Sequence, residues 1–362
     1  MASAVAHLNA LAGAGRPAGS ESEATARRYA HVQLAALGFS VEEMPFEYSA
    51  FPGRFATPVV GVALALIIET TATCALLGAE RLGVFVLFGG LFATWLFVRR
   101  MLGNGVLDLP WMRRRSMNVV ATRGPDAPRV WLVAHLDSKS QPIPSAARVV
   151  GVAVLAVVMV LALVAAGLTH GGSTPRTLWW VVIAAGAVGA LPVIASGVGN
   201  HSDGAVDNAS GVAAVLGAAA LVRPDVEFGV LLPSAEELGL AGARAFVRGR
   251  AAGVALNCDG VDDEGALVIM YNGSTPTRVI ATLGAGVTPG TAAPRARRMP
   301  LGLLTDSTAF HDDGWETVTV SHGSLATLRR VHTPHDSLAR LRGTPIDAVA
   351  GILARAVAAL AT

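Results

Sequence analysis

The sequence predicts an α/β domain, in which helices flank a mixed and largely parallel sheet, joined to four transmembrane helices in two hairpins. Short apolar strands alternate with helical stretches in the charged parts of the chain, which is typical of such sheets. Four long apolar stretches interrupt that alternation. The composition agrees with both observations, because 52% of the 362 residues are hydrophobic and 15% are charged, whereas a soluble domain carries roughly 25% charge.

Composition and charge exclude several classes of protein. The high apolar fraction excludes a disordered chain, and the glycines show no collagen-like period. The net charge of +2, without a basic stripe, argues against nucleic-acid binding. Cys74 and Cys258 are the only cysteines, so neither a disulfide framework nor a cysteine-based zinc site is available. Any metal must therefore be held by histidines and carboxylates.

The four apolar stretches approach the roughly 20 residues that are needed to cross a bilayer. They cover residues 57–79, 82–98, 146–168 and 178–198. A turn at Glu80-Arg81 joins the first pair, and a loop with glycine and proline over 169–177 joins the second. Buried core helices are the alternative, but so few charges favour spans. Glu69 lies inside the first span, where an ionisable group often marks function, although we favour a neutral glutamate that faces the other spans.

An even number of crossings places the remaining segments on one side of the membrane. We expect no cleavable signal peptide before the first span. The predicted soluble segments are 1–55, 100–145 and 200–362, and the predicted hairpins are 56–99 and 146–199. The soluble side carries more flanking arginines, namely Arg54, Arg99, Arg100, Arg113, Arg114, Arg115 and Arg148 against Arg81 and Arg176. The positive-inside rule therefore predicts a multi-pass protein of the plasma (inner) membrane, with its soluble domain in the cytoplasm.

Within the soluble segments, the predicted elements follow from the spacing of apolar residues. We predict helices over 22–38, 211–221 and 239–248, and strands over 39–43, 117–121, 130–135, 226–232 and 253–258. Gly38 ends the first helix as a typical C′ residue. Strands that alternate with helices in this way predict a sheet with parallel character.

Polar residues follow the predicted strands, where the functional groups of such sheets gather. The candidates are His135, Asp137, Asp207, Glu236, Glu237, Asp259 and His332. Each alone has an ordinary explanation, such as a helix cap for Asp207 or a solvated pair for Glu236 and Glu237. Together, two histidines and several carboxylates are ligands suited to zinc, manganese or cobalt. We therefore predict a site for two divalent metal ions, with Zn²⁺ the first choice.

These residues lie in short motifs that occur in a fixed order along the chain. The motifs are Arg16-Pro-Ala-Gly-Ser20, Ala134-His-Leu-Asp-Ser138, Gly204-Ala-Val-Asp-Asn-Ala-Ser-Gly211, Ala235-Glu-Glu-Leu-Gly-Leu-Ala-Gly242, Asn257-Cys-Asp259 and Val331-His-Thr-Pro-His-Asp336. The set resembles the zinc exopeptidases that include bacterial leucyl aminopeptidase, glutamate carboxypeptidase and the transferrin-receptor type proteins. The resemblance covers the soluble domain but not the hairpins.

The resemblance implies a role for each candidate. Asp207 would bridge the two metals, with His135 and Asp259 completing one site and Glu237 and His332 the other. Glu236 would be the general base, and Asp137 would orient His135. His332 is favoured over His335 as the ligand. His201 and Asp203 are interpreted as loop residues, with contact to substrate as the alternative.

The implied activity is peptide-bond hydrolysis, most simply by an aminopeptidase. Two cations would share a water and lower its pKa, while Glu236 would pass the proton of that water to the leaving amine. A carboxypeptidase, a dipeptidase or a hydrolase of non-peptide amides would use the same ligands. A non-catalytic receptor or scaffold is a further alternative, and a transporter is a weaker one.

The sequence departs from the resemblance in two places. The hairpins interrupt the soluble domain, which is possible where the ends of an insertion stay close together. In Thr305-Asp-Ser-Thr-Ala-Phe310, Ser307 stands where the family commonly has histidine. The resemblance therefore does not imply the family's substrate orientation or transition-state contacts near this loop.

Overall fold

A computed structural model describes residues 3–103, 105–124, 127–169, 176–287, 293–300 and 302–361. The chain divides into two compact units. The first, here called the sheet unit, comprises Met1–Ala50, Leu107–Ser140 and Gly199–Thr362. The second, here called the helical unit, comprises Phe51–Val106 and Gln141–Val198.

The helices and strands are numbered along the chain. The helices are α1 (Ala4–Leu11), α2 (Glu21–Ala36), α3 (Thr57–Leu76), α4 (Glu80–Leu102), α5 (Gly105–Asp108), α6 (Ser145–Thr169), α7 (Arg176–Ile194), α8 (Gly211–Leu221), α9 (Ala241–Val247), α10 (Thr277–Ala285), α11 (Asp306–Asp312), α12 (Leu325–Arg330) and α13 (Ile346–Leu360). The strands are β1 (Ser40–Ser49), β2 (Arg113–Arg123), β3 (Val130–Val133), β4 (Phe228–Leu232), β5 (Val254–Val261), β6 (Ala266–Tyr271), β7 (Arg295–Arg298) and β8 (Glu316–Gly323). Single π-helical turns cover Pro52–Ala56 and Ala205–Ser210.

The strands form one sheet in the order β1-β2-β4-β3-β5-β8-β6-β7. The four central strands, β4, β3, β5 and β8, are mutually parallel. Strands β1 and β2 pair antiparallel with their neighbours, and β6 pairs antiparallel with β8 but parallel with the edge strand β7. The structure therefore confirms the predicted mixed sheet flanked by helices. The sequence prediction missed β6, β7 and β8, together with every helix after α9, and it made β1 and β2 too short.

Successive residues of the short strand β3 face opposite layers of the sheet unit. Val130 and Leu132 belong to the main core, which includes α1, α8 and α13. Trp131 and Val133 belong to a smaller core on the other face, where α9 and α11 add aromatic rings. Because both faces are covered, the parallel strands β3 and β4 are apolar throughout. The loops at their ends therefore carry the polar chemistry.

The helical unit contains the four helices that are long and apolar enough to span a membrane. Close packing depends on glycine where helices meet: a Cβ on Gly151 would lie 2.7 Å from the carbonyl oxygen of Gly189, and one on Gly186 would lie 2.8 Å from Ile68.

The turn predicted at Glu80-Arg81 is wrong, because α4 already begins at Glu80 and the turn precedes it. Most of the predicted loop over 169–177 lies outside the described residues.

The second insertion leaves and re-enters the sheet unit at two neighbouring residues. The backbones of Ser140 and Gly199 form an isolated antiparallel bridge, with N–H···O distances of 3.0 and 2.8 Å. The first insertion likewise starts next to Ala50, whose N–H donates to the carbonyl of Met112 at 3.1 Å. Both insertions therefore have ends that the sheet unit itself holds close together.

Candidate metal centre

The carboxyl ends of three adjacent parallel strands bring the first candidate residues together. His135 follows β3 by two residues, Glu236 follows β4 by four, and Asp259 lies within β5. The register of β5 against β8 shifts between Cys258 and Val261. Such a bulge re-aims the side chains that lie in it. Asp259 consequently approaches His135, with 3.7 Å between its Oδ1 and the Nε2 of the imidazole.

The carboxylate of Asp137 holds the loop that carries Glu236 and Glu237. Its two oxygens accept the backbone N–H groups of these residues at 3.0 and 3.2 Å. The preceding residue, Ala235, has a φ of 57°, a left-handed conformation that costs roughly 1–2 kcal/mol outside glycine. The contact with His135 comes from the backbone carbonyl of Asp137, 3.0 Å from Nδ1, while the nearer carboxylate oxygen lies at 3.7 Å. Asp137 therefore contacts both the loop that carries Glu236 and Glu237 and the imidazole of His135.

Asp207 lies in the kinked segment Ala205–Ser210 before α8, where its own φ of −116° and ψ of 88° are not helical. Its two carboxylate oxygens face different histidines. Oδ1 is 3.1 Å from Nε2 of His135, and Oδ2 is 2.9 Å from Nε2 of His332. Asp207 is not a helix cap, because α8 starts at Gly211 and no side chain caps it. A carboxylate in this position can serve two cations at the same time.

His332 lies in the loop after α12 and has a φ of 64°. Its Nε2 also lies 3.1 Å from Oε1 of Glu237. His335 is exposed and belongs to neither group of candidate ligands in the described part of the chain. His201 is exposed, and Asp203 is half-buried in the loop before Asp207.

Two groups of candidate ligands occur among the described residues, each with ligand atoms within 4.8 Å of one another. They are His135, Glu236 and Asp259, and Asp207, Glu237 and His332. Imidazole nitrogens with carboxylate oxygens are a donor set that fits zinc and related divalent ions. The concentration of buried carboxylates adds a second argument, because buried negative charge requires compensating cations.

Comparison with known proteins agrees with this geometry. Peptidase family M28 matches residues 118–357, well over half of the chain. The chain belongs to this family. None of the curated proteins compared with the chain matches it.

Solved structures show the same fold as this M28 chain. An aminopeptidase from Aneurinibacillus sp. strain AM-1 is 17% identical, with a TM-score of 0.56 over 99% of this chain and 93% of that one. BSAP, a zinc aminopeptidase from Bacillus subtilis, is 14% identical, with a TM-score of 0.56 over 98% and 93%. A glutaminyl cyclase from Bacteroides thetaiotaomicron is 14% identical, with a TM-score of 0.57 over 98% and 96%.

Burial and neighbouring charged groups shift the pKa values of the candidate ligands in opposite directions. Burial raises the pKa of Asp207, but the hydrogen bonds with His135 and His332 outweigh it and hold that pKa well below its usual range. Burial lowers the pKa of His332, but Glu237 and Asp207 raise it to about 9 despite Lys139. Metal binding at these imidazoles must therefore displace protons.

The pKa of Glu236 shifts in the opposite direction to those of Asp207 and Glu237, which are lowered. Burial raises its pKa well above the ordinary range, and the nearby Glu237, Asp306 and Asp259 raise it further, against the opposing effect of His135. The Glu236 side chain thus favours its protonated form far more than a solvated glutamate does. A buried carboxylate whose pKa is raised in this way is a candidate for accepting and returning a proton during catalysis.

The sequence analysis assigned no role to four residues that lie in or beside the site. Lys139, the only lysine of the chain, forms an ion pair of 2.6 Å with Oε2 of Glu237. Asp306 is fully buried, and its two oxygens have no hydrogen-bond partner among the described residues. Arg16 and Asp336 are buried and bind backbone groups. Both belong to recognised motifs, so the motif positions were a signal for them.

Ser307, which replaces the family histidine, takes part in a buried group of three hydroxyls. Its Oγ lies 2.9 Å from Oγ1 of Thr305 and 2.8 Å from Oγ1 of Thr319, which are 2.7 Å apart. The three hydroxyls satisfy one another. The structure thus explains how a small polar residue is accommodated here, and the side chain makes its contacts within the protein.

Proposed function

We propose that this M28 chain is a membrane-anchored dinuclear zinc peptidase, most simply an aminopeptidase that removes N-terminal residues from peptides. The observation that carries the proposal is the position of Asp207, whose two oxygens contact the imidazoles of His135 and His332. The family match and the aminopeptidases of the same fold support the reaction class.

The ligand set divides around Asp207. His135 and Asp259 would hold one ion with it, and Glu237 and His332 would hold the other. Divalent cations at such a site lower the pKa of water and polarise a carbonyl group. The nearest contacts of the histidine nitrogens to carboxylates, from 2.9 to 3.7 Å, support a shared centre.

Glu236 would act as the general base and general acid of the reaction. Its carboxylate would accept a proton from the attacking water and deliver it to the nitrogen of the departing amine. The protonated form that burial favours suits the second half of this cycle. Because Glu236 also lies within ligand distance of His135 and Asp259, a role as a metal ligand is the competing assignment. Metal content of a Glu236→Gln variant separates the two.

The helical unit would anchor the enzyme in the membrane. Large apolar side chains are exposed on it, including Phe85 at 74%, Val188 at 65% and Trp180 at 61%. Such surfaces are stable in lipid and unfavourable in water. The arginine distribution supports a cytoplasmic sheet unit. A C-terminal reporter that is active only in the cytoplasm tests the side of the membrane.

The decisive experiment combines metal analysis with end-group specificity. The purified full-length chain should contain two zinc ions and should release free amino acids from peptides, and a chelator should abolish the release. Acetylation of the peptide N-terminus should block release, whereas amidation of the C-terminus should not. The opposite pattern would indicate a carboxypeptidase, and no release from any peptide would favour a scaffold.

The glutaminyl cyclases of the same fold define one further control. A peptide that begins with glutamine should yield free glutamine under the proposal. Cyclisation of that residue would instead leave the peptide bond intact and release ammonia. Mass spectrometry of the product distinguishes these outcomes on the same substrate.

A further inference from the structure

The loop over residues 203–207 is bound by a buried cation on one side and a buried anion on the other. The Arg16 guanidinium donates to the carbonyls of Asp203 and Gly204 at 2.8 and 2.9 Å. The Asp336 carboxylate accepts the N–H groups of Val206 and Asp207 at 2.6 and 3.2 Å. The cation thus binds carbonyl oxygens and the anion binds amide protons, so each charge meets the complementary end of the peptide dipole.

Both residues connect this loop to another segment that carries a candidate ligand. Nε of Arg16 donates to the carbonyl of Leu136 at 2.9 Å, directly after His135. Asp336 lies four residues after His332, in the same loop. The two charged residues therefore link the histidine-bearing loops to the backbone on either side of the Asp207 side chain.

Neither residue has the exposure of an ordinary surface charge. Arg16 is 2% exposed and Asp336 is fully buried. A further hydrogen bond joins Nη1 of Arg16 to the carbonyl of Leu11, at the end of α1. Donors in a planar guanidinium have fixed directions, so contacts to several carbonyls determine the relative positions of the segments that carry them.

We propose that Arg16 and Asp336 are positioning residues, here called the loop clamp, that hold the two oxygens of Asp207 between His135 and His332. The inference rests on the proposed role of Asp207 as a ligand shared by two metal ions. The side chains of the clamp residues contact backbone groups. They act through the backbone that carries the ligand, as other outer partners of metal ligands do.

Cobalt titration of the full-length protein in detergent tests the clamp, because the visible absorption of bound Co²⁺ reports the ligand geometry. Asp336→Asn replaces one acceptor oxygen by an NH₂ group, which cannot accept the N–H of Asp207. We expect cobalt affinity to fall by about 10- to 100-fold, with an altered spectrum. Arg16→Lys should retain more cobalt affinity than Arg16→Gln, because the lysine ammonium keeps the positive charge and can replace some of the N–H donors of the guanidinium.

Two residues of the sheet unit make the same kinds of contact at more exposed positions and provide controls. The Asp263 carboxylate also accepts two backbone N–H groups, those of Arg342 and Thr344. The Arg355 guanidinium also donates to a backbone carbonyl, that of Gly286. Asp263→Asn and Arg355→Gln should lower the unfolding temperature without changing cobalt affinity or the spectrum. If Asp336→Asn and Arg16→Lys likewise lower the unfolding temperature without changing cobalt affinity or the spectrum, the clamp is purely structural. That result would overturn the inference.

Asp207→Asn separates failure of the clamp from failure of the proposed function. If this variant binds cobalt as the wild type does, the shared-ligand assignment is wrong. If it loses cobalt while both Asp336→Asn and Arg16→Lys bind it normally, only the clamp is wrong. Loss of cobalt affinity in all three, with both controls unaffected, supports the inference.

Discussion

The sheet unit and the helical unit bury different kinds of side chain. In the sheet unit, buried charges such as Arg16, Asp137 and Asp336 bind the backbone of loops that carry candidate ligands. In the described part of the helical unit, no charged side chain is buried, and the buried residues are mostly small or aliphatic. The helical unit instead exposes many of its large apolar residues.

The difference is the one expected of an apolar-rich chain that meets two solvents, as the proposed membrane anchoring requires. In water, the apolar residues of the sheet unit must be buried, and the resulting rigid core can hold charges in defined positions. In lipid, burial of apolar groups gives little driving force, so the helices depend on close contacts at small residues. Substitutions at buried charges should therefore affect chemistry, whereas substitutions at buried glycines should affect packing alone.

The largest expected effect concerns the buried charge assigned to proton transfer. Glu236→Gln should reduce peptide hydrolysis by about 100-fold or more, the range typical of lost general-base catalysis. Zinc content should stay at the wild-type level, because the five assigned ligands are unchanged. Turnover is measured by amino-acid release and zinc by elemental analysis. Wild-type turnover in this variant would remove Glu236 from the mechanism, and loss of zinc would make it a ligand.

The next effect concerns packing in the helical unit. Gly151→Leu places a side chain where a Cβ already lies 2.5 Å from Pro192 and 2.7 Å from the carbonyl of Gly189. Overpacking of this kind costs about 1–3 kcal/mol. Each unit contains one cysteine, so labelling of Cys74 and Cys258 during heating reports the two units separately.

Cys74 should become reactive at a lower temperature in Gly151→Leu than in the wild type, while Cys258 should not change. Gly167→Leu is the control on the same helix, because no atom lies within 4 Å of a Cβ there. Equal shifts at both cysteines would show that the two units do not respond independently.

A smaller effect follows from Glu23, which is buried behind the site. Burial and the nearby Asp137 raise its pKa from about 4.5 to about 7. The folded state therefore binds the proton more tightly than the unfolded state, and stability falls as the pH rises from about 4.5 through 7. Glu23→Gln removes this dependence, so its stability relative to wild type should rise by up to about 3 kcal/mol across that range.

Thermal unfolding of the chelator-treated protein at pH 5 and pH 8 measures the effect. Glu21→Gln, an exposed position in the same turn of α2, is the matched control and should follow the wild-type slope. A Glu23→Gln variant with that same slope would contradict the assignment of the titration to Glu23.

The smallest effect is expected at an exposed charge. Glu47 pairs with Arg115 at 2.7 Å and with Arg113 at 3.2 Å, and these arginines lower its pKa. Water screens such surface pairs, so Glu47→Gln should leave the unfolding temperature unchanged within error. A clear drop in unfolding temperature would mean that exposed charges also stabilise the sheet unit.

The sequence by itself determined the fold class, the four apolar helices and the motif order. Those features depend on local periodicity and on the lengths of apolar runs, which are visible in one dimension. Helix α8 was predicted at its observed bounds, because its run of small apolar residues is uninterrupted. The edge strand β7 was missed because its three arginines and one alanine are all exposed and show no buried pattern. Strands β6 and β8 were missed as well, although β8 is largely buried.

Only the tertiary structure decided how the site is held together. Whether the Asp137 carboxylate faces His135 or the next loop depends on the course of two distant strands, and no spacing in the sequence encodes it. The same holds for Arg16 and Asp336, which lie 320 positions apart in the numbering and meet one loop. Backbone groups are identical at every residue, so the sequence cannot show which of them a buried charge will bind.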